Sequence, residues 1–95
     1  MLNLVKPGRK LVECGAESCS DAEILSILIG SGGATYSALD CAGELLEKYG
    51  TVTDLMDRPI ADLTAVRGIK ATKAVRIAAA YELARRLIQE VHNQS

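Results

Sequence analysis

Apolar residues along this chain recur at intervals of three and four, and no stretch alternates apolar with polar residues as a half-buried strand would. The first clear run is Ile24, Leu25, Ile27, Leu28 and Ile29, and it follows Ser20 and Glu23. A serine hydroxyl that accepts from the amide three residues on, while a carboxylate reaches back, is a capping box. The spacing therefore predicts a helix that starts at Ser20 and stops at Gly30. Ser37 and Asp40 repeat the arrangement ahead of Leu39, Ala42, Leu45, Leu46 and Tyr49, and Gly50 closes that run. Thr51 with Asp54 opens a short third helix through Leu55 and Met56. Pro59 suits the first turn of a fourth, over residues 60–65, because its missing N–H is not needed there. A last helix is predicted from about Thr72 to near His92, and residues 93–95 are expected to fray. Its Ala74, Ile77, Ala78, Tyr81, Ala84, Ile88 and Val91 share one face, read here as core. The pattern predicts an all-α fold, a small bundle of four to five helices.

Composition narrows this further. With 95 residues there is room for one modest core, so residues 1–95 are read as a single helical domain. The chain has neither Phe nor Trp, so aliphatic residues and alanines must fill the interior and the helices must approach closely. The net charge of −1 hides a strong asymmetry. Residues 11–66 carry ten acids against Lys48 and Arg58, whereas residues 67–86 carry six cations against Glu82 alone. A long helix with a solvated basic face would explain that block, and so would a local site for an anion.

The block begins in Val66-Arg67-Gly68-Ile69-Lys70-Ala71-Thr72-Lys73-Ala74, which has the spacing of a helix-hairpin-helix turn, with the whole motif spanning about residues 60–90. Such a turn needs a glycine where backbone approaches a phosphate, an apolar residue that plugs inward, and an alanine where two helices nearly touch. Gly68, Ile69 and Ala74 fill those places. Amides at the start of the second helix would then point outward with the positive end of its dipole behind them. Arg67, Lys70, Lys73 and Arg76 would add mobile cations, and none of them need read a base. The nucleic-acid-binding set read from the sequence is therefore Arg67, Gly68, Ile69, Lys70, Lys73 and Arg76. Lys70 stands where such hairpins usually carry a second glycine. Either its side chain takes over the phosphate contact or the grip is weaker. The competing reading is a glycine turn that only joins two packed helices.

Other chemistry is poorly supported. Cys14, Cys19 and Cys41 are odd in number and His92 is the one histidine, so neither a disulfide framework nor a zinc site is expected, and no cofactor is implied. Asp21, Glu23, Asp54 and Asp57 sit at helix starts or ends, where capping accounts for them. Ser31 and Cys41 have no neighbouring base to activate them. Gly30-Ser31-Gly32-Gly33 lacks the G-x-x-x-x-G-K-[ST] pattern and follows a helix, so a helix stop is expected there instead of a phosphate loop. Arg85 and Arg86 lie about three turns beyond the hairpin, where a salt bridge or a helix-dipole role is expected. No apolar run has signal-peptide or membrane-spanning length, and a cytoplasmic, non-enzymatic chain is expected.

Five segments in order, Gly8-Arg9-Lys10-Leu11-Val12-Glu13-Cys14-Gly15, Ser20-Asp21-Ala22-Glu23-Ile24-Leu25, Ser37-Ala38-Leu39-Asp40-Cys41-Ala42, Gly68-Ile69 and Tyr81-Glu82-Leu83-Ala84-Arg85-Arg86, resemble the N-terminal domain of the RadC family of bacterial proteins. The resemblance runs from about Lys6 to Leu87. It implies a helical domain of helix-hairpin-helix type in a family long labelled as DNA repair proteins, with the DNA phosphate backbone as partner. In full-length members it also implies a following metalloprotease-like domain, whose His-x-His ligands this chain does not carry, so no hydrolytic activity and no metal is transferred. That missing domain, or another protein meeting the acidic residues 11–66, is the alternative partner. In that second reading the chain is an interaction or targeting module without nucleic-acid contact.

Overall fold

Serine and threonine caps organise the chain as its spacing suggests. In the computed structural model, which describes residues 6–30 and 37–94, the Ser20 hydroxyl accepts from the Glu23 amide at 3.1 Å, and the Glu23 carboxylate accepts from the Ser20 amide at 2.8 Å. This box starts helix α2, Asp21–Ile29, which ends at Gly30. The same reciprocal pair between Ser37 and Asp40 starts α3, Ala38–Tyr49, which ends at Gly50. The Thr51 hydroxyl accepts from the Asp54 amide and opens α4, Val52–Met56. Pro59 precedes α5, Ile60–Leu63, which is one turn long and ends two residues short of the expected Ala65. The long helix α6 covers Ala71–Asn93, with Gln94 as its C-cap, so it runs through the first of the residues expected to fray. Ser31, Gly32 and Gly33 of the glycine-rich stretch lie outside the described residues.

One helix was not anticipated. Helix α1, Pro7–Cys14, begins with proline in its first turn and contributes no buried residue to the core. A 3₁₀ turn, Ala16–Ser18, links it to α2, and the Lys10 ammonium donates to both oxygens of Glu23 at 3.0 and 3.1 Å. The described residues thus form six α-helices, not four to five, and contain no strand.

The core lies where α2, α3, α4 and α5 meet the first half of α6. Leu25 and Ile29 from α2, Cys41, Ala42 and Leu45 from α3, Leu55 from α4, Leu63 from α5, and Ala74 and Ile77 from α6 are buried together with Val66 and Ile69 of the connecting turn. Aliphatic side chains of this kind contribute about 1.5–3 kcal/mol each when fully buried. The expected core stripe of α6 holds only at its start. Ala74 and Ile77 are buried, but Ala84, Ile88 and Val91 are exposed, because α6 is 23 residues long and outruns the shorter helices it packs on.

Candidate functional site

The segment from Leu63 to Ala74 is held by backbone bonds that leave little freedom. Val66 donates to the Leu63 carbonyl at 3.1 Å, Ile69 to the Val66 carbonyl at 3.0 Å, and Ala74 to the Lys70 carbonyl at 3.0 Å. Gly68 has φ +88°, in the left-handed region where a Cβ would crowd the following carbonyl. Val66 and Ile69 both point into the core, with Ile69 only 1% exposed. Two buried anchors three residues apart therefore clamp the turn, and Arg67, Gly68 and Lys70 are left on its outer side. Beneath it the buried Cys41 thiol donates to the Arg67 carbonyl at 3.6 Å, and burial pushes that thiol's pKa up.

The six residues read from the sequence divide in this setting. Gly68 supplies the turn. Ile69 is a plug whose side chain is unavailable to a ligand, so only its backbone can take part. Lys70 is the N-cap of α6, in extended conformation, and its side chain makes no cap hydrogen bond. Lys73, half-buried, lies one helical turn further on. Arg67 leans toward α3, where its guanidinium meets the Glu44 carboxylate at 3.2 Å. Both side chains of that pair are well exposed, at 65% and 41%, so it is a weak, salt-sensitive contact. Arg76 is turned away: its Nη1 donates to the Ile29 carbonyl at 3.4 Å and so caps the C-terminal end of α2. Gly30 leaves the room for this, since a Cβ there would stand 3.1 Å from that guanidinium nitrogen. The structure thus keeps Lys70 and Lys73 together at the start of α6, turns Arg67 toward Glu44 of α3, and assigns Arg76 to the end of α2.

The sequence did not link Glu44 and Cys41 to the turn, because they lie 23 and 26 positions from Arg67 and carry no local signal for that contact. Arg85 and Arg86 converge on Glu82 at 2.8 Å, the salt-bridge role expected of them, and their hydrogen bonds hold that carboxyl down at about 2. Among the described residues no group of three or more His, Cys, Asp or Glu side chains is placed to share a metal ion, and no helix is long and apolar enough to cross a membrane.

A family model described as UPF0758 N-terminal matches residues 3–75, which include the α3 platform, the Gly68 turn and the start of α6. The chain belongs to the UPF0758 family. A UPF0758 protein of Cupriavidus necator is 46% identical over 85 residues, covering 90% of this chain and 37% of the relative. Those of Staphylococcus epidermidis and Desulforudis audaxviator are 42% and 39% identical over 82 residues, in each case 86% of this chain and 36% of the relative. The chain therefore spans little more than a third of the length of the curated relatives it matches. No solved structure matches it. The RadC-like resemblance of the motifs is supported at the level of this UPF0758 N-terminal region, in bacterial relatives.

Proposed function

We propose that α5, the Gly68 turn and α6 of this UPF0758 chain act as a helix-hairpin-helix that holds a DNA backbone without reading its sequence, as the non-enzymatic module of a RadC-like protein serving DNA repair in the cytoplasm. One observation carries the reading. The N-terminus of α6 has no side-chain cap and no acid in its first turn, and its N-cap residue is the exposed Lys70. The first amides of any α-helix lack intrahelical partners, and the dipole puts partial positive charge on them. Phosphate oxygens satisfy both, and Lys70 and Lys73 add attraction at longer range. Lys70 replaces the usual second glycine, so its ammonium takes part of the contact that a closer backbone would make. In the longer UPF0758 relatives such a module would hold nucleic acid beside the remainder of the chain.

The test is a titration with duplex DNA of arbitrary sequence at low salt, followed by fluorescence anisotropy. Two phosphate contacts imply an affinity that falls with a log–log salt slope of about −2, and the double variant Lys70→Glu, Lys73→Glu should lose at least about tenfold. Absence of binding at low salt, or an unchanged double variant, would overturn the reading.

A second reading draws on the Arg67–Glu44 contact, which engages one of the turn's cations with an acid of α3. Here the acidic surface around Glu44 and Glu47 meets a protein partner and the hairpin only builds the fold. Partner capture that survives reversal of Lys70 and Lys73 but is lost on reversing Glu44 and Glu47 would favour it.

A further inference from the structure

Every described residue of the chain from Leu83 to Gln94 is exposed, although this half of α6 is not polar. Leu83, Leu87, Ile88 and Val91 are 71%, 63%, 69% and 58% exposed, far more than large aliphatic residues in a packed helix. At about 100° per residue, these four and Ala84 fall within one arc of roughly 140°. Glu82, Arg85, Arg86, Gln89 and Glu90 fall outside it. An apolar arc wider than about 100° marks a helix that faces a core, yet here none of the described helices covers it. The uncharged arc has nothing to offer a nucleic acid. A lipid surface is also a poor match, because the polar side balances two acids against two arginines and Glu82 already accepts from both Arg85 and Arg86.

From this face we infer that two copies of the chain pair through the last three turns of α6, antiparallel, about a twofold axis passing between Leu87 and Ile88. In that register Leu87 meets Ile88 of the other copy, and Ala84 meets its Val91. The fit is of small against large: Ala84 floors a shallow apolar depression walled by Leu83 and Leu87, which a valine side chain fills. Charge selects the same register. Arg86 and Glu90 lie on one edge of the arc, the side of Leu83, and the antiparallel arrangement sets each Arg86 beside the other copy's Glu90 twice over. A parallel pair would instead bring the Arg86 edge against the other copy's Arg85. The strip from Leu83 to Val91 is about 12 Å long, so the total area buried lies below the 1,200–2,000 Å² of stable complexes, and the dimer is weak and reversible, with a dissociation constant of about 100 µM. Lys70 and Lys73 lie at the opposite end of α6, so this pairing is independent of the nucleic-acid reading.

Sedimentation of the chain from about 10 µM to about 1 mM tests it. The weight-average mass should climb from monomer toward dimer across that range. Leu87→Glu with Ile88→Glu should keep it monomeric throughout, and circular dichroism should show an unchanged helix content, since both side chains are solvent-exposed in the single copy. Arg86→Glu should raise the dissociation constant about tenfold, and adding Glu90→Arg should recover most of that loss. A monomer at every concentration would overturn the inference and leave the face to the additional length present in the longer relatives. So would a dimer that ignores the Leu87 and Ile88 substitutions, or a charge swap that fails to restore pairing.

Discussion

Helices α2 and α6 begin in opposite ways. At the start of α2, Ser20 caps, Asp21 and Glu23 occupy the first turn, and Lys10 closes over Glu23, so two amides are satisfied by the capping box and the dipole meets acids of the same chain. At the start of α6, Lys70 occupies the N-cap without capping, the first turn has no acid, and the nearest charges are cations. A capped, acidic start is built for stability, worth about 1 kcal/mol relative to an alanine cap. An uncapped, basic start forgoes that stabilisation, and in the proposed reading a phosphate outside the chain takes the place of the cap. Helices α3 and α4 follow the first pattern, through Ser37 and Thr51, whereas one-turn α5 lacks a side-chain cap but has Asp62 in its first turn, so α6 is the core helix with neither a cap nor an acid at its start.

The largest effect should come from removing what holds the uncapped start in place. Ile69 is buried at 1% exposure and Gly68 beside it has positive φ, so the turn adds a packed plug to its backbone hydrogen bonds where the start of α2 relies on side-chain caps. Ile69→Ala should destabilise the domain by about 2–5 kcal/mol, read as a shift in the midpoint of urea unfolding. A loss under about 1 kcal/mol would mean that the turn is held by something other than this plug.

A smaller effect separates the two helix starts directly. Ser20→Ala should cost about 1 kcal/mol, because it strips the cap from α2. Lys70→Asp should do the reverse at α6, gaining about 0.5–1 kcal/mol as a carboxylate takes the free amides and meets the dipole, while DNA affinity falls. Stability and binding would then move in opposite directions on one substitution. If Lys70→Asp destabilises the fold, or stabilises it without weakening binding, the contrast between the two starts has no functional meaning.

How far the sequence disclosed all this depended on the range of each interaction. The Ser20, Ser37 and Thr51 caps act over three residues, so α2, α3 and α4 were legible with their ends. Gly68 and Ile69 were legible for the same reason. Helix α1 was not, because it adds no residue to the core and its charge pair with α2, Lys10 to Glu23, spans thirteen positions. Arg76 looked like part of a basic cluster by spacing along α6, yet the carbonyl it serves is that of Ile29, 47 positions away. The stripe from Ala74 to Val91 was read as core because periodicity reports which face is apolar and not whether a neighbour reaches it. Only the arrangement of α2, α4 and α5 along the first half of α6 shows where cover ends.

The smallest effect concerns acid. Glu82 is the first of the two acids of α6, placed well past its start, and hydrogen bonds from Arg85 first and Arg86 second hold its carboxyl at about 2, down from an ordinary 4.5. A folded-state value below the unfolded one means that ionised Glu82 favours the folded helix. That contribution is complete above about pH 4.5 and disappears as the pH falls toward 2. Glu23 is also lowered, by the Ser20 amide first and Lys10 second, so α2 loses support on acidification as well. Glu82→Gln separates the two. Near neutral pH the variant should show slightly less helical signal on warming than the parent, and below about pH 3 the two melting curves should converge, since the parent's carboxyl is then becoming neutral too. Both side chains of each arginine pair are largely solvated, so the difference should shrink in high salt. Curves that stay apart at low pH would show that Glu82 supports α6 by packing rather than by its charge.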